Sequence, residues 1–255
     1  MLLIMYFQIL CIIELKYYII ICIYKMFYIG SCRYMYDYDW DYFPARLHTT
    51  REIIFFLENI NNIKKIINEN PPILANFIFG DIYHPGVIKD SQQFMNKDMN
   101  KNIHKIIMEI SSRKVIYYNN IPLSHFYFYR SKEFNLVKKY NLVEKKLTDE
   151  EIDCDIVRII QLCKTIFNEN IEIHIIPHLN LKSKLHNNYI SDRNTFVNLL
   201  ENLANKYNIK IHNIGKYIEN NNSECFLEDY MPDSTHYSTG YDNIKDFLIS
   251  EIIDK

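Results

Sequence analysis

From residue 26 onward, short apolar runs rich in β-branched residues alternate with longer stretches whose apolar positions recur every three to four residues. This alternation constrains the chain more than any other feature, because strands of that kind pair in parallel, are joined by crossover helices and are covered on both faces. The strand candidates are residues 26–29, 73–79, 114–118, 171–176 and 209–214, each bounded by Gly, Pro or Asn. Thr49-x-x-Glu52 and Thr148-x-x-Glu151 read as capping boxes, in which a hydroxyl and a carboxylate satisfy backbone N–H groups at a helix start. Further helices are expected over 92–110, 192–207 and 238–253, the last with Ser238 as its N-cap. The expected fold is α/β: a three-layer α/β/α sandwich with a doubly wound, mainly parallel five-stranded sheet, its functional groups gathered at the carboxyl ends of the strands. Residues 121–146, dense in aromatics and without clear periodicity, read as an insertion or lid.

The chain has 255 residues and shows neither an internal repeat nor a low-complexity linker, so residues 26–255 read as one domain. Residues 1–25 form an apolar N-terminal segment. Glu14 and Lys16 interrupt it and leave neither half near the roughly 18 uncharged residues that a spanning helix requires. It also lacks the basic start and small-residue cleavage site of a signal peptide. Two readings stay open for it: membrane association through residues 2–24, or a true translation start at Met26.

The net charge is −2, with acidic residues interleaved among the lysines, which excludes the basic stripe of a nucleic-acid binder. Six cysteines share no CxxC spacing and accompany no paired histidine motif, so neither a metal site nor a cofactor is expected. Free thiols in a reducing, cytoplasmic compartment are the plain reading.

Two polar blocks carry candidate chemistry. The first strand ends in Gly30-Ser31-Cys32-Arg33, a turn that offers two nucleophiles where backbone N–H groups can stabilise a thiolate and later an oxyanion. Near the far end, Met231-Pro232-Asp233-Ser234-Thr235-His236 precedes the last expected helix. Three-residue spacing lets Asp233 accept a hydrogen bond from one ring nitrogen of His236, fixing the tautomer whose other nitrogen takes a proton. A small-residue turn with a buried thiol, and an Asp turn beside an exposed His, are the plainer readings of each block taken alone. In a doubly wound sheet, however, both blocks fall at the same end.

Taken together, the blocks resemble the SGNH (GDSL-like) hydrolases. Gly30-Ser31-Cys32 matches their Gly-Asp-Ser block in place, and Asp233-Ser234-Thr235-His236-Tyr237-Ser238 resembles their closing Asp-x-x-His block. The Gly-Ser-Cys turn is closest to the GSCFA-type branch. The resemblance puts Cys32 on the family's serine, with Ser31 as the alternative nucleophile, Asp233 and His236 as the remaining catalytic pair, and an O-acylated carbohydrate as substrate. It implies an esterase acting through an acyl-enzyme. The alternatives are an acyltransferase to carbohydrate hydroxyls and a catalytically inactive binding protein of the same fold.

Val115 to Pro122 resembles the family segment that carries an Asn, and Ile173 to His178 the strand that ends in a Pro near the site. Gly80, Asn119 and Asn120 are accordingly candidate oxyanion donors, and His48, Arg33 and His178 candidate substrate-binding residues. The chain departs from the family in having Arg33 after the Cys and no Gly-x-Asn-Asp block.

Overall fold

The computed structural model describes residues 25–30, 47–71, 74, 77–78, 103–124, 134–222, 224–231 and 251–252, the side chains of 25, 64 and 134–136 excepted. Its centre is a parallel sheet whose strands lie in the order β1 (Lys25–Ile29), β2 (Ile103–Ile110), β6 (Glu172–Pro177), β7 (Lys210–Ile211). A separate antiparallel sheet has the order β4 (Ile121–Leu123), β3 (Lys114–Tyr118), β5 (Val143–Lys146). The helices are α1 (Thr50–Asn59), α2 (Ile63–Glu69), α3 (Phe134–Lys139), α4 (Asp149–Ile166), α5 (Ser191–Tyr207), α6 (Ile214–Asn221) and α7 (Leu227–Tyr230). The chain is thus a mixed α/β protein with a parallel sheet.

Parallel partners share a face, so the register sorts every strand residue. Phe27, Ile106 and Ile173 form one apolar row, and Ile29, Met108 and Ile175 the next. Against this face pack Ile53 and Phe56 of α1, Ile152, Ile156 and Ile159 of α4, and Phe196 and Leu200 of α5. One sheet face covered by successive crossover helices is what same-handed connections produce when strand order runs in one direction. The opposite face carries Tyr28, Ile107 and Ile176, packed with Ile214 and Ile218 of α6, Leu227 and Tyr230 of α7, Met231 and Ile252.

Local chemistry explains the helix starts. Thr148 and Glu151 form a complete capping box, each side chain accepting from the other's backbone N–H at 3.2 and 3.1 Å. Thr49 caps α1 through the Glu52 N–H, but the Glu52 carboxylate accepts from the N–H of His48, one residue earlier than a capping box requires. α1 is clamped to α4 by Thr50, which donates to buried Asp155 at 2.6 Å, and by an Arg51–Asp155 ion pair at 2.9 Å.

Several expectations need correction. The expected helix over 92–110 is contradicted across its last eight residues, which form β2. Ile103, Ile106, Ile107 and Ile110 fit helical spacing, yet they also supply apolar groups to both faces of a buried strand, and β-branched Ile favours the latter. The strand expected over 73–79 is also contradicted: Leu74 is helical, and Phe77 and Ile78 lie in a tight turn. Three-residue hydrogen bonds, Leu74 N–H to Pro71 and Phe77 N–H to Leu74, follow a prolyl pair that favours a helical start.

Residues 114–118 do form a strand, but in the antiparallel sheet. The expected insertion over 121–146 supplies that sheet's other two strands and α3. The strand expected over 209–214 shrinks to Lys210–Ile211, because the Asn213 side chain accepts from the Lys216 N–H and starts α6. Among the described residues the parallel sheet therefore has four strands where five were expected. The helix expected over 192–207 is α5, and that expected over 238–253 lies outside the described residues except for Glu251 and Ile252. Among the described residues no helix is long and apolar enough to cross a membrane, and residues 2–24 lie outside them.

Candidate functional site

The carboxyl rim of the parallel sheet begins at Gly30, which follows Ile29 and stands level with Glu109. A Cβ at position 30 would come within 2.5 Å of the Tyr28 hydroxyl and 2.7 Å of the Glu109 Cβ, so only glycine lets the two strands approach this closely. The Tyr28 hydroxyl donates to the Glu109 carboxylate at 3.2 Å, and both residues are fully enclosed.

His48 and His178 reach the same rim. The His48 carbonyl accepts from the N–H groups of Ser111 and Ser112, both at 3.0 Å, and its Nδ1 lies 3.1 Å from Ser111 Oγ. Ser111 directly follows β2. Ile110 pairs with Pro177, which puts His178 level with Ser111 on the neighbouring strand. His178 Nδ1 donates to the Leu179 carbonyl at 3.2 Å, leaving Nε2 without a proton in the neutral ring. Beyond it, Asn180 is buried with its Oδ1 lacking a hydrogen-bond partner among the described residues, while its amide nitrogen donates to Asn194 at 2.9 Å.

Asn119 and Asn120 stand elsewhere. Tyr118 pairs with Ile121, so the two asparagines are the exposed corner of a two-residue hairpin, with φ of 47° and 68°. A type I′ turn requires positive φ at both corners, and Asn tolerates that backbone better than other side-chain-bearing residues. The turn alone accounts for the pair. Cys32, Ser31, Arg33, Gly80, Asp233 and His236 lie outside the described residues.

Their neighbours are described. α7 is tied to the loop after β6 by the Leu227 N–H, which donates to the Lys182 carbonyl at 2.8 Å, and Met231 closes the helix on Leu227. Met231 and Tyr230 share a buried cluster with Tyr28 on one face of the sheet.

Sequence reasoning passed over a polar column on that same face. His174 Nδ1 lies 2.8 Å from His212 Nε2, the two rings are parallel within 3°, and their centroids are 5.1 Å apart. That combination describes rings meeting edge to edge in one plane. His174 Nε2 faces Glu172 Oε2 at 3.3 Å, and Lys210 Nζ donates to the same oxygen at 2.9 Å. Because a carboxylate only accepts, Nε2 of His174 carries the proton, its Nδ1 accepts, and His212 Nε2 donates. Lys105, beside them on β2, is buried and donates to the Ile252 carbonyl at 2.8 Å.

Burial, first, pulls His174 down to about 4; the Glu172 hydrogen bond opposes this, and Lys210 and Lys105 add to it. Burial likewise lowers Lys105, whereas the Lys210 hydrogen bond holds Glu172 below the usual carboxylate range. A readable signal existed in the sequence, since His174 interrupts the otherwise apolar strand Ile173 to Pro177. A cavity of about 370 Å³, lined in part by Glu172, Lys210, Lys164 and Tyr207, opens at the amino ends of β6 and β7, away from the rim.

No known family model and no curated protein matches this chain.

Proposed function

We propose that the chain is an acyl-ester hydrolase of the SGNH type that works through a covalent acyl-enzyme on an O-acylated carbohydrate. Cys32 is the nucleophile, His236 the base and Asp233 the group that orients it. His236 takes the thiol proton as Sγ attacks the ester carbonyl, then returns it to the leaving alkoxide. Water loses a proton to His236, adds to the thioester and expels the thiolate, which is reprotonated. The backbone N–H groups of Cys32 and Gly80 are the proposed oxyanion donors. His48 and His178 flank the substrate.

One packing observation supports this reading above others: the chain segments entering both blocks are held in one buried cluster, through Tyr28 on one side and Tyr230 with Met231 on the other. Two residues past Gly30 span at most about 7 Å, and five past Met231 at most about 18 Å. Both blocks therefore start within reach of one another. The reading also extends the sheet to a doubly wound, five-stranded, three-layer sandwich. β1, β2, β6 and β7 run in one direction across the sheet, so double winding needs a further strand on the outer side of β1.

Thiol labelling tests the reading with an internal reference. Cys154 is exposed, whereas Cys163 and Cys225 are buried, and burial pushes both buried thiols up. With iodoacetamide at neutral pH, Cys32 should label faster than Cys154, and His236→Ala should slow it at least about tenfold. p-Nitrophenyl acetate turnover should vanish in Cys32→Ala and persist in Ser31→Ala; the reverse moves the nucleophile to Ser31. Labelling of Cys32 no faster than Cys154, together with no turnover, overturns the reading in favour of an inactive binding protein.

A further inference from the structure

The polar column lies apart from the proposed chemistry and is built wholly from described residues. Its parts hold together the weakest strand of the parallel sheet. β7 has two ladder residues, paired with His174 and Ile175, and is extended only by the His212 N–H, which donates to the Ile175 carbonyl at 2.9 Å. Two side-chain ties join this segment to β6, the His174–His212 bridge and the Lys210–Glu172 pair, and of the two only the bridge is buried. α6 starts two residues after His212 and brings Ile214 and Ile218 onto the second face.

The bridge has a fixed direction, from Glu172 through His174 to His212, and that direction limits how many protons it can hold. A first added proton can sit on His212 Nδ1 and leave the bridge intact. A second must go to His174 Nδ1, which would set two N–H groups against each other across 2.8 Å. The charged surroundings do not relieve this. β6 contributes Glu172, already shared with Lys210 of β7; β2 contributes Lys105 in the row nearest the amino end and Glu109 in the row nearest the rim, where it accepts from Tyr28 of β1. From the covering layer come Tyr217 of α6, Tyr230 of α7 and Cys225, whose thiol burial pushes up, with Ile252 presenting its carbonyl to Lys105. Among the described residues, two lysines therefore stand near His174 against one half-exposed carboxylate.

We propose that the Glu172–His174–His212 chain is an acid-released latch: it fastens β7 and the start of α6 to the sheet at neutral pH and lets them go on acidification, uncovering the second face. In the opened strand His174 returns toward an ordinary histidine, near 6.5, whereas closed His174 resists protonation down to about 4. Closure is therefore complete above pH 6.5 and weakens as pH falls from there toward 4.

Amide hydrogen exchange on the full chain, corrected for intrinsic rates, tests the latch. Between pH 6.5 and 4.5 the protection of residues 209–213 should fall at least about tenfold relative to the β2 amides. The double variant His174→Asn, His212→Gln, whose amides can pass on one hydrogen bond without titrating, should keep its protection across that range. Unchanged protection in the unmodified chain, or an equal loss in the folded double variant, overturns the proposal. Should the variant not fold, imidazole nitrogen shifts in the unmodified chain decide: His174 should stay neutral until residues 209–213 open, and a His174 that titrates near 6.5 in the closed fold overturns it.

Discussion

The two faces of the parallel sheet differ in kind. One is lined by Phe27, Ile29, Ile106, Met108, Ile110, Ile173 and Ile175 and packed by three crossover helices, and among the described residues no buried polar strand side chain lies in it. The other alternates Tyr28, Ile107 and Ile176 with buried Lys105, Glu109 and His174. Apolar burial stabilises at any pH, whereas buried ionisable groups make stability depend on what their partners and protons do. The first face should set how firmly the chain folds, and the second should set the conditions under which it stays closed.

Measurements can break or sharpen that contrast. The largest expected effect is on the first face, where Phe56→Ala should cost about 3–5 kcal/mol, equally at pH 7 and pH 5, in urea unfolding. A cost that changed with pH would place ionisable coupling where none is expected.

Next is the second face. His174 is depressed to about 4, so the neutral ring favours folding fully above pH 6.5, and stability should fall by on the order of 2–3 kcal/mol as pH drops from 6.5 to 4. Urea midpoints that stay flat over that interval would erase the distinction between the faces.

Smaller effects probe the elements that deliver the two faces. Thr148→Ala removes the complete capping box of α4 and should cost about 1 kcal/mol, independent of pH above the carboxylate range. Asn120→Gly, at a corner already at φ 68°, should stabilise the β3–β4 hairpin by a few tenths of a kcal/mol. A destabilised Asn120→Gly would show that the side chain does more than turn the backbone.

Local sequence rules reached those parts of the fold that local chemistry decides. Both capped helices, the first strand and the strand through His174 were legible because a cap, a Gly or a Pro marks each boundary. β2 was misread because a strand buried on two faces carries apolar groups at every spacing, including the helical one. β5 was invisible, since Val143 to Lys146 is exposed throughout and shows no alternation. At the rim, His178 was foreseen after a strand end and His48 before the capped helix, and the structure sets them beside the ends of β6 and β2. The histidine column was not foreseen, because Glu172, His174, Lys210 and His212 come together only once β6 pairs with β7, 38 residues apart from His174 to His212. Pairing between distant strands is a tertiary fact that no local pattern encodes.

The most direct test of the proposed chemistry uses a short tryptic fragment. Cleavage after Lys25 and Arg33 yields residues 26–33, which hold Ser31 and Cys32 together. After brief exposure to p-nitrophenyl acetate and an acid quench, this fragment should carry an acetyl group that neutral hydroxylamine removes, and the group should be missing from His236→Ala. Acetylation that resists hydroxylamine, that persists in His236→Ala, or that appears only on other fragments would contradict a thiol nucleophile served by the late imidazole.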